Sequence, residues 1–202
     1  MIQTPTYSTA RLASIRQEAI DLLKPQQQIE YDFLDSKDFL IGLDWGIPRF
    51  GHPEGKILYH IQEVLENVHA IPDLDENARL KLRIITFVHD TFKYKEDKAR
   101  PRNWLKHHAI HARNFLAQYI EDQALLDLVE LHDEAYYIWR TIHLQHQKEI
   151  GALRKQRLLE RIGDNLQLYY LFFKCDTLTG DKIPTPLQWF EKNMKGIEVV
   201  RL

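Results

Sequence analysis

The chain has 202 residues, 44% hydrophobic and 28% charged, which suits one folded domain and excludes a disordered or low-complexity protein. A formal net charge of −2 excludes a globally basic surface for nucleic acid. The single cysteine, Cys175, excludes an intramolecular disulfide and any multi-cysteine zinc site.

Glycine is scarce, with eight in the chain, and helical periodicity dominates. Leu12, Ile15, Ala19 and Leu22 predict a helix over about 9–23, stopped before Pro25. Residues 25–50 carry less pattern, and Asp44-Trp45-Gly46-Ile47-Pro48 reads as a turn. Pro53 suits the first turn of the next helix, whose stripe is Ile57, Ile61, Val64, Leu65 and Val68 and which Pro72 ends. Asp75 can cap a third helix, with Leu80, Ile84, Phe87 and Val88 inward, running into His89-Asp90.

A polar connection follows with Lys93, Lys95, Lys98, Arg100, Arg102 and Lys106 against Glu96 and Asp97; it reads equally as a phosphate-steering loop or a solvated one. A helix is predicted from about Trp104 to Ile120, then one or two over about 123–147 with no visible break. The last long helix is predicted over about Leu153–Phe173, and a short one after Pro186. Trp45, Trp104, Tyr136, Tyr137 and Trp139 either line a pocket or pack in the core. The expected architecture is all-α: one domain over 1–202, its core at about 50–180 with flanking helices. No window approaches about 18 apolar residues, so no membrane span is expected. The first residues lack a basic stretch and an apolar signal core, so the expected location is the cytoplasm.

Ten histidines stand out. His89-Asp90 closes a buried helix, and His60 lies mid-helix beside Ile61. The stripe Ile162, Leu166, Tyr169, Phe173 continues at Asp176, and a carboxylate on a buried stripe must be paired, protonated or bound to metal. His60, His89, Asp90 and Asp176 thus form a candidate mixed nitrogen–oxygen metal site, suited to Mn, Fe, Co, Ni or Zn over Ca. The bland alternatives are a satisfied core histidine at 60 and a capping or salt-bridged aspartate at 176.

The string His52-Pro53-Glu54-Gly55 followed by His60 resembles the opening of the HD domain in bacterial tRNA nucleotidyltransferases. His89-Asp90-Thr91-Phe92-Lys93 resembles the His-Asp-x-x-Lys core of HD phosphohydrolases, with Phe92 where glycine is usual. In the segment from His107 to Arg113, His107 matches the family histidine and His111 replaces a glycine; His132-Asp133 falls where a His-His pair is common. Cys175-Asp176 matches the closing aspartate. No polymerase-head motif precedes the region, so the resemblance is to the HD domain and not to the whole nucleotidyltransferase.

The resemblance implies a helical bundle of at least five core helices around a metal site. It implies a phosphohydrolase acting on a phosphoester or phosphoanhydride of a nucleotide-like small molecule. His60, His89, Asp90 and Asp176 would be metal ligands for a divalent ion (Mn, Fe, Co, Ni, Zn or Mg), with Asp90 bridging if two bind. Lys93 would place positive charge beside the phosphoryl group, and His107 and His132 would hold a second ion or the phosphate. His108 is expected to point elsewhere, and His143 and His146 to be surface residues. Two rival readings are a catalytically silent nucleotide-binding or regulatory module, motivated by Phe92 and His111, and a nucleic-acid partner using the basic run.

Overall fold

The computed structural model describes residues 6–97, 99 and 101–202, which form helices joined by turns, with no β-strand among them. Two members of the basic run, Lys98 and Arg100, lie outside the described residues. The all-α expectation holds, and no helix among the described residues is long and apolar enough to cross a membrane.

Helix α1 (Thr9–Leu23) begins where the Ser8 side chain accepts from the Arg11 N–H at 3.2 Å, and it buries Ile15, Ala19 and Leu23 at intervals of four. It ends at Lys24, in the left-handed region at φ 47°, next to Pro25. Residues 25–50, which carry little pattern, hold two short helices, α2 (Gln28–Leu34) and α3 (Lys37–Leu43). Glu30 on α2 is fully buried and takes the Arg83 guanidinium on both oxygens, at 2.8 and 2.9 Å. A buried charge so paired is tolerated, whereas either partner alone would be costly.

Helix α4 (Ile57–Ala70) starts later than Pro53 suggests. Gly55, at φ 78°, turns the chain first, and a Cβ there would lie 2.8 Å from the Pro48 ring. Helix α5 (Glu76–Val88) is capped by Asp75, whose side chain accepts from the Ala78 N–H at 3.1 Å. The helix expected from Trp104 is shorter. Trp104–Lys106 make one 3-10 turn and α6 (His108–Leu116) follows, because the His107 Nδ1 accepts the Ala109 N–H at 3.2 Å and caps it.

The break missing from 123–147 falls between α7 (Gln123–Leu131) and α8 (Glu134–His143), with His132 and Asp133 at the junction. The last long helix is also two, α9 (Lys148–Ile162) and α10 (Leu166–Thr177), parted at Gly163 with φ 47°. Helix α11 (Thr185–Asn193) carries Pro186 in its first turn, so it begins just before that proline and not after it.

Helix α5 is central, packing against α4, α6, α7 and α10. Its C-terminal end therefore lies where four other helices meet. The turn beyond it is held by the Thr91 hydroxyl, which donates to the Phe87 carbonyl at 2.7 Å, and by α3. A Cβ on Gly42 of α3 would lie 1.9 Å from the Thr91 carbonyl oxygen. Phe92 turns away into an aromatic cluster, its ring 4.9 Å from Phe115, which stacks on Phe39 at 5.6 Å.

Gly42→Ala should force α3 off this turn and cost about 2–3 kcal/mol, as overpacked cores do. Thermal denaturation should show a fall of roughly 5–10 °C; an unchanged midpoint would mean the contact is not tight.

Candidate metal centre

Four donor atoms converge at the end of α5. His60 comes from the first turn of α4, His89 caps α5, Asp90 follows it, and Asp176 lies near the end of α10. His60 Nε2 is 3.3 Å from His89 Nε2, 3.0 Å from Asp176 Oδ1 and 3.6 Å from Asp90 Oδ2. His89 Nε2 is 3.5 Å from Asp90 Oδ2 and 3.8 Å from Asp176 Oδ1. Donors about 2.1 Å from one ion sit about 3.0 Å apart at right angles and about 3.4 Å apart in a tetrahedron, so the spacing of His60, His89 and Asp90 fits a single ion, with Asp176 beside the two imidazoles.

A second set lies on the other face of Asp90. Its Oδ1 is 3.3 Å from His108 Nε2 and 3.5 Å from His132 Nε2. The two imidazole nitrogens are 3.3 Å apart, and Asp133 Oδ2 approaches them at 3.3 and 3.6 Å. His108, not His107, faces this set, against expectation. The two rings lie 4.2 Å apart but serve different partners: His107 spends Nδ1 on the cap of α6 and turns Nε2 to the Tyr137 hydroxyl at 3.2 Å. His107 remains 3.9 Å from Asp133 and does not line the open cleft beside the donors. Misplacing the helix start by one turn hid His108, and a Ser/Thr/Asn-type cap in place of His107 would have revealed it.

The tautomers suit lone-pair donation. His89 Nδ1 donates to the Thr86 carbonyl at 2.9 Å and His132 Nδ1 to the Val129 carbonyl at 2.8 Å, so each ring turns its Nε2 inward as the atom available to a metal. His60 is backed by Glu54, whose Oε1 lies 3.4 Å from Nδ1 and 3.0 Å from His52 Nδ1. His108 Nδ1 rests 3.2 Å from Glu96. Glu54 and Glu96, half-buried behind two donor histidines, were assigned no role in the sequence, although Glu54 stands inside the His52–Gly55 string. Asp90 Oδ1 makes no well-aligned hydrogen bond although it is buried, and a cation between it and the two imidazoles would satisfy it.

Charge is balanced locally. Burial alone would raise the carboxyl of Asp90, yet Lys93 and the surrounding histidines hold it well below the usual range. Lys93 Nζ donates to Asp90 Oδ2, and Lys182 Nζ donates to Asp176 Oδ1 at 2.9 Å. Burial likewise opposes ionisation of Asp176, which Lys182 and His60 hold low. Burial pushes His89 down to about 3, so it stays neutral. His108 is also disfavoured as a cation by burial, but Asp133, Asp90 and Glu96 raise it to about 10. Burial drives the Cys175 thiol up to about 12, which removes it as a nucleophile.

His111 is half-buried on the far side, beside Asp38, Phe92 and Lys95, and His143 stacks near Trp139. The described cations of the basic run all contact acids: Lys93 with Asp90, Lys95 with Asp38, Arg102 with Glu96 and Lys106 with Asp97.

No protein-family profile, curated protein or solved structure matches the chain. The chain is an all-helical protein whose buried histidine and aspartate groups could hold a metal ion. That arrangement is compatible with an HD domain.

Proton linkage makes the centre testable. Below about pH 10 the His108 imidazole is charged in the metal-free protein, so an ion can take its Nε2 only as a proton leaves. Calorimetric titration with Mn²⁺ or Zn²⁺ near pH 7, in two buffers of different ionisation enthalpy, should show proton release that is smaller in His108→Ala. Uptake without proton release would place the ion elsewhere. With folded pKa above unfolded, His108 stabilises the metal-free fold fully below about pH 6.5, and that contribution should vanish as pH climbs to about 10.

Proposed function

We propose that the chain is a metal-dependent phosphohydrolase of the HD type, acting on a phosphoester or phosphoanhydride of a small nucleotide-like molecule. The observation that carries this reading is Asp90: each carboxylate oxygen faces two imidazole Nε2 atoms, on the floor of an open cleft that also holds Lys93 and Lys182. His60, His89, Asp90 and Asp176 would hold one divalent ion, and Asp90, His108, His132 and Asp133 a second. A bound ion would polarise a phosphoryl oxygen and lower the pKa of water.

The chain's own groups supply the rest. Lys93 and Lys182 border the cleft and offset charge on a transferring phosphoryl group. Asp90, Asp133 and Asp176 stay ionised and keep the donor set intact at neutral pH. In the overall step a water oxygen bonds to phosphorus, the bond from phosphorus to the leaving oxygen breaks, and that oxygen takes a proton from water. His132 stays at the floor of the cleft, while His107, expected to share its role, supports Tyr137 instead.

The Phe92 ring packs on Phe115 and His111 borders the groove beside Asp38 and Lys95, so neither takes a place among the donors, which supports hydrolysis over a silent binding module. Phosphate release from nucleoside monophosphates and dinucleotide polyphosphates with Mn²⁺, Ni²⁺ or Mg²⁺ is the test. Turnover is expected, and His89→Ala or Asp90→Asn should lower kcat/KM by roughly 100-fold or more. A metal-loaded protein that turns over none of these, yet binds a nucleotide and leaves it intact, would instead favour the silent module.

A further inference from the structure

The cleft beside the donors measures about 440 Å³, the size of a small-molecule site. Its lining is of two kinds. One part is the charged floor already described. The rest of the lining is largely apolar, with Phe50, Tyr136, Trp139, Leu144, Ile183 and Pro186, and most of these are more exposed than the floor. Several of these large apolar side chains stand in solvent, Phe50 at 76% exposure, Ile183 at 60% and Leu144 at 58%. Exposed apolar surface gathered at the mouth of a cleft marks a contact surface.

Trp139 is the fixed part of that wall. Its ring lies 6.1 Å from Tyr136 at 32° and is stacked on His143 at 5.8 Å, so it is supported on two sides. What the cleft lacks matters equally. Among the described residues no Asn, Gln, Arg or Glu lines it, and its three aspartates all belong to the donor sets. Asn or Gln reads adenine, Arg or Lys guanine and a carboxylate cytosine; the two lysines in the cleft are paired with Asp90 and Asp176, and the Thr177 hydroxyl can bond any base alike.

We propose that the cleft takes a phosphomonoester whose non-phosphate part is flat and apolar, held by contact with Trp139 and its neighbours and not by hydrogen bonds to its edges. A nucleotide fits as a planar body, and the identity of its base is not read. The phosphate is oriented inward by Lys93 and Lys182, which fixes the direction of binding. Turnover of such an ester rests on the phosphohydrolase reading; the binding preference does not.

Two measurements on the metal-loaded full chain separate the ideas. The first is calorimetric binding of two non-hydrolysable probes, 1-naphthylmethylphosphonate and methylphosphonate. The aryl probe should bind at least about tenfold tighter, a gap of about 1.4 kcal/mol. Trp139→Ala should abolish the gap without weakening methylphosphonate, and Trp139→Phe should keep most of it. The second is phosphate release from 5′-AMP, GMP, CMP, UMP and 1-naphthyl phosphate, with ribose 5-phosphate as the ester that lacks a flat group. The four nucleotides should agree within about fivefold in kcat/KM, and ribose 5-phosphate should be poorer than all of them by about tenfold or more. Equal binding of the two phosphonates overturns the proposal, as does preference for one base by about 100-fold or more. An intact phosphonate gap with no turnover of any ester would support the cleft assignment while removing the hydrolase reading.

Discussion

Three aspartates among histidines at the end of α5 set the terms for everything around them. Asp90, Asp133 and Asp176 stay ionised where burial opposes charge, so each needs a cation at hand. Lys93 and Lys182 serve two of them, and the His108 imidazolium lies between Asp90 and Asp133. A metal ion would replace protons at these positions and leave the carboxylates as they are. The same electrostatic demand that threatens the fold without compensation is what makes the place suitable for a divalent cation.

That demand explains the packing. Donors must be held within a few tenths of an ångström, and α5 is fixed along its length to do so. The Arg83–Glu30 pair ties its middle to α2, and the Thr91 turn at its end lies against Gly42 of α3. The Tyr169 hydroxyl of α10 donates to the Leu131 carbonyl at 2.9 Å and accepts from the Ala135 N–H at 2.9 Å, which fixes the α7–α8 junction that carries His132 and Asp133. Much of what surrounds the centre is polar backbone pinned by single side chains, not only apolar burial.

The sequence revealed the helices whose ends were marked chemically: α1 by Pro25, α5 by Asp75, α11 by Pro186. It misjudged those whose ends depend on backbone conformation or tertiary contact. Gly55 delays α4, Gly163 divides what reads as one helix, and no strong signal marks the break at His132. His60, His89, Asp90 and Asp176 were legible because an imidazole or carboxylate interrupts an apolar stripe. His108 was not, since its direction depends on a helix start set by the His107 cap. Glu54 and Glu96 stand behind the donors; Glu54 lies inside the string that carries the resemblance but with no role assigned to it, and nothing in the local pattern of Glu96 distinguishes it from an ordinary turn residue.

Nearly all the donors sit at helix ends: His89 and Asp90 beyond α5, His108 opening α6, His132 and Asp133 between α7 and α8, Asp176 closing α10. The termini and the few contacts that pin them must be kept, while the outward faces of the helices are free to change in composition. Such a centre is specified by a handful of scattered letters and not by any continuous run. Descendants of one ancestor could keep the geometry while losing almost every trace of common spelling, which makes a spatial template of these side chains a better guide to kinship than alignment of the text.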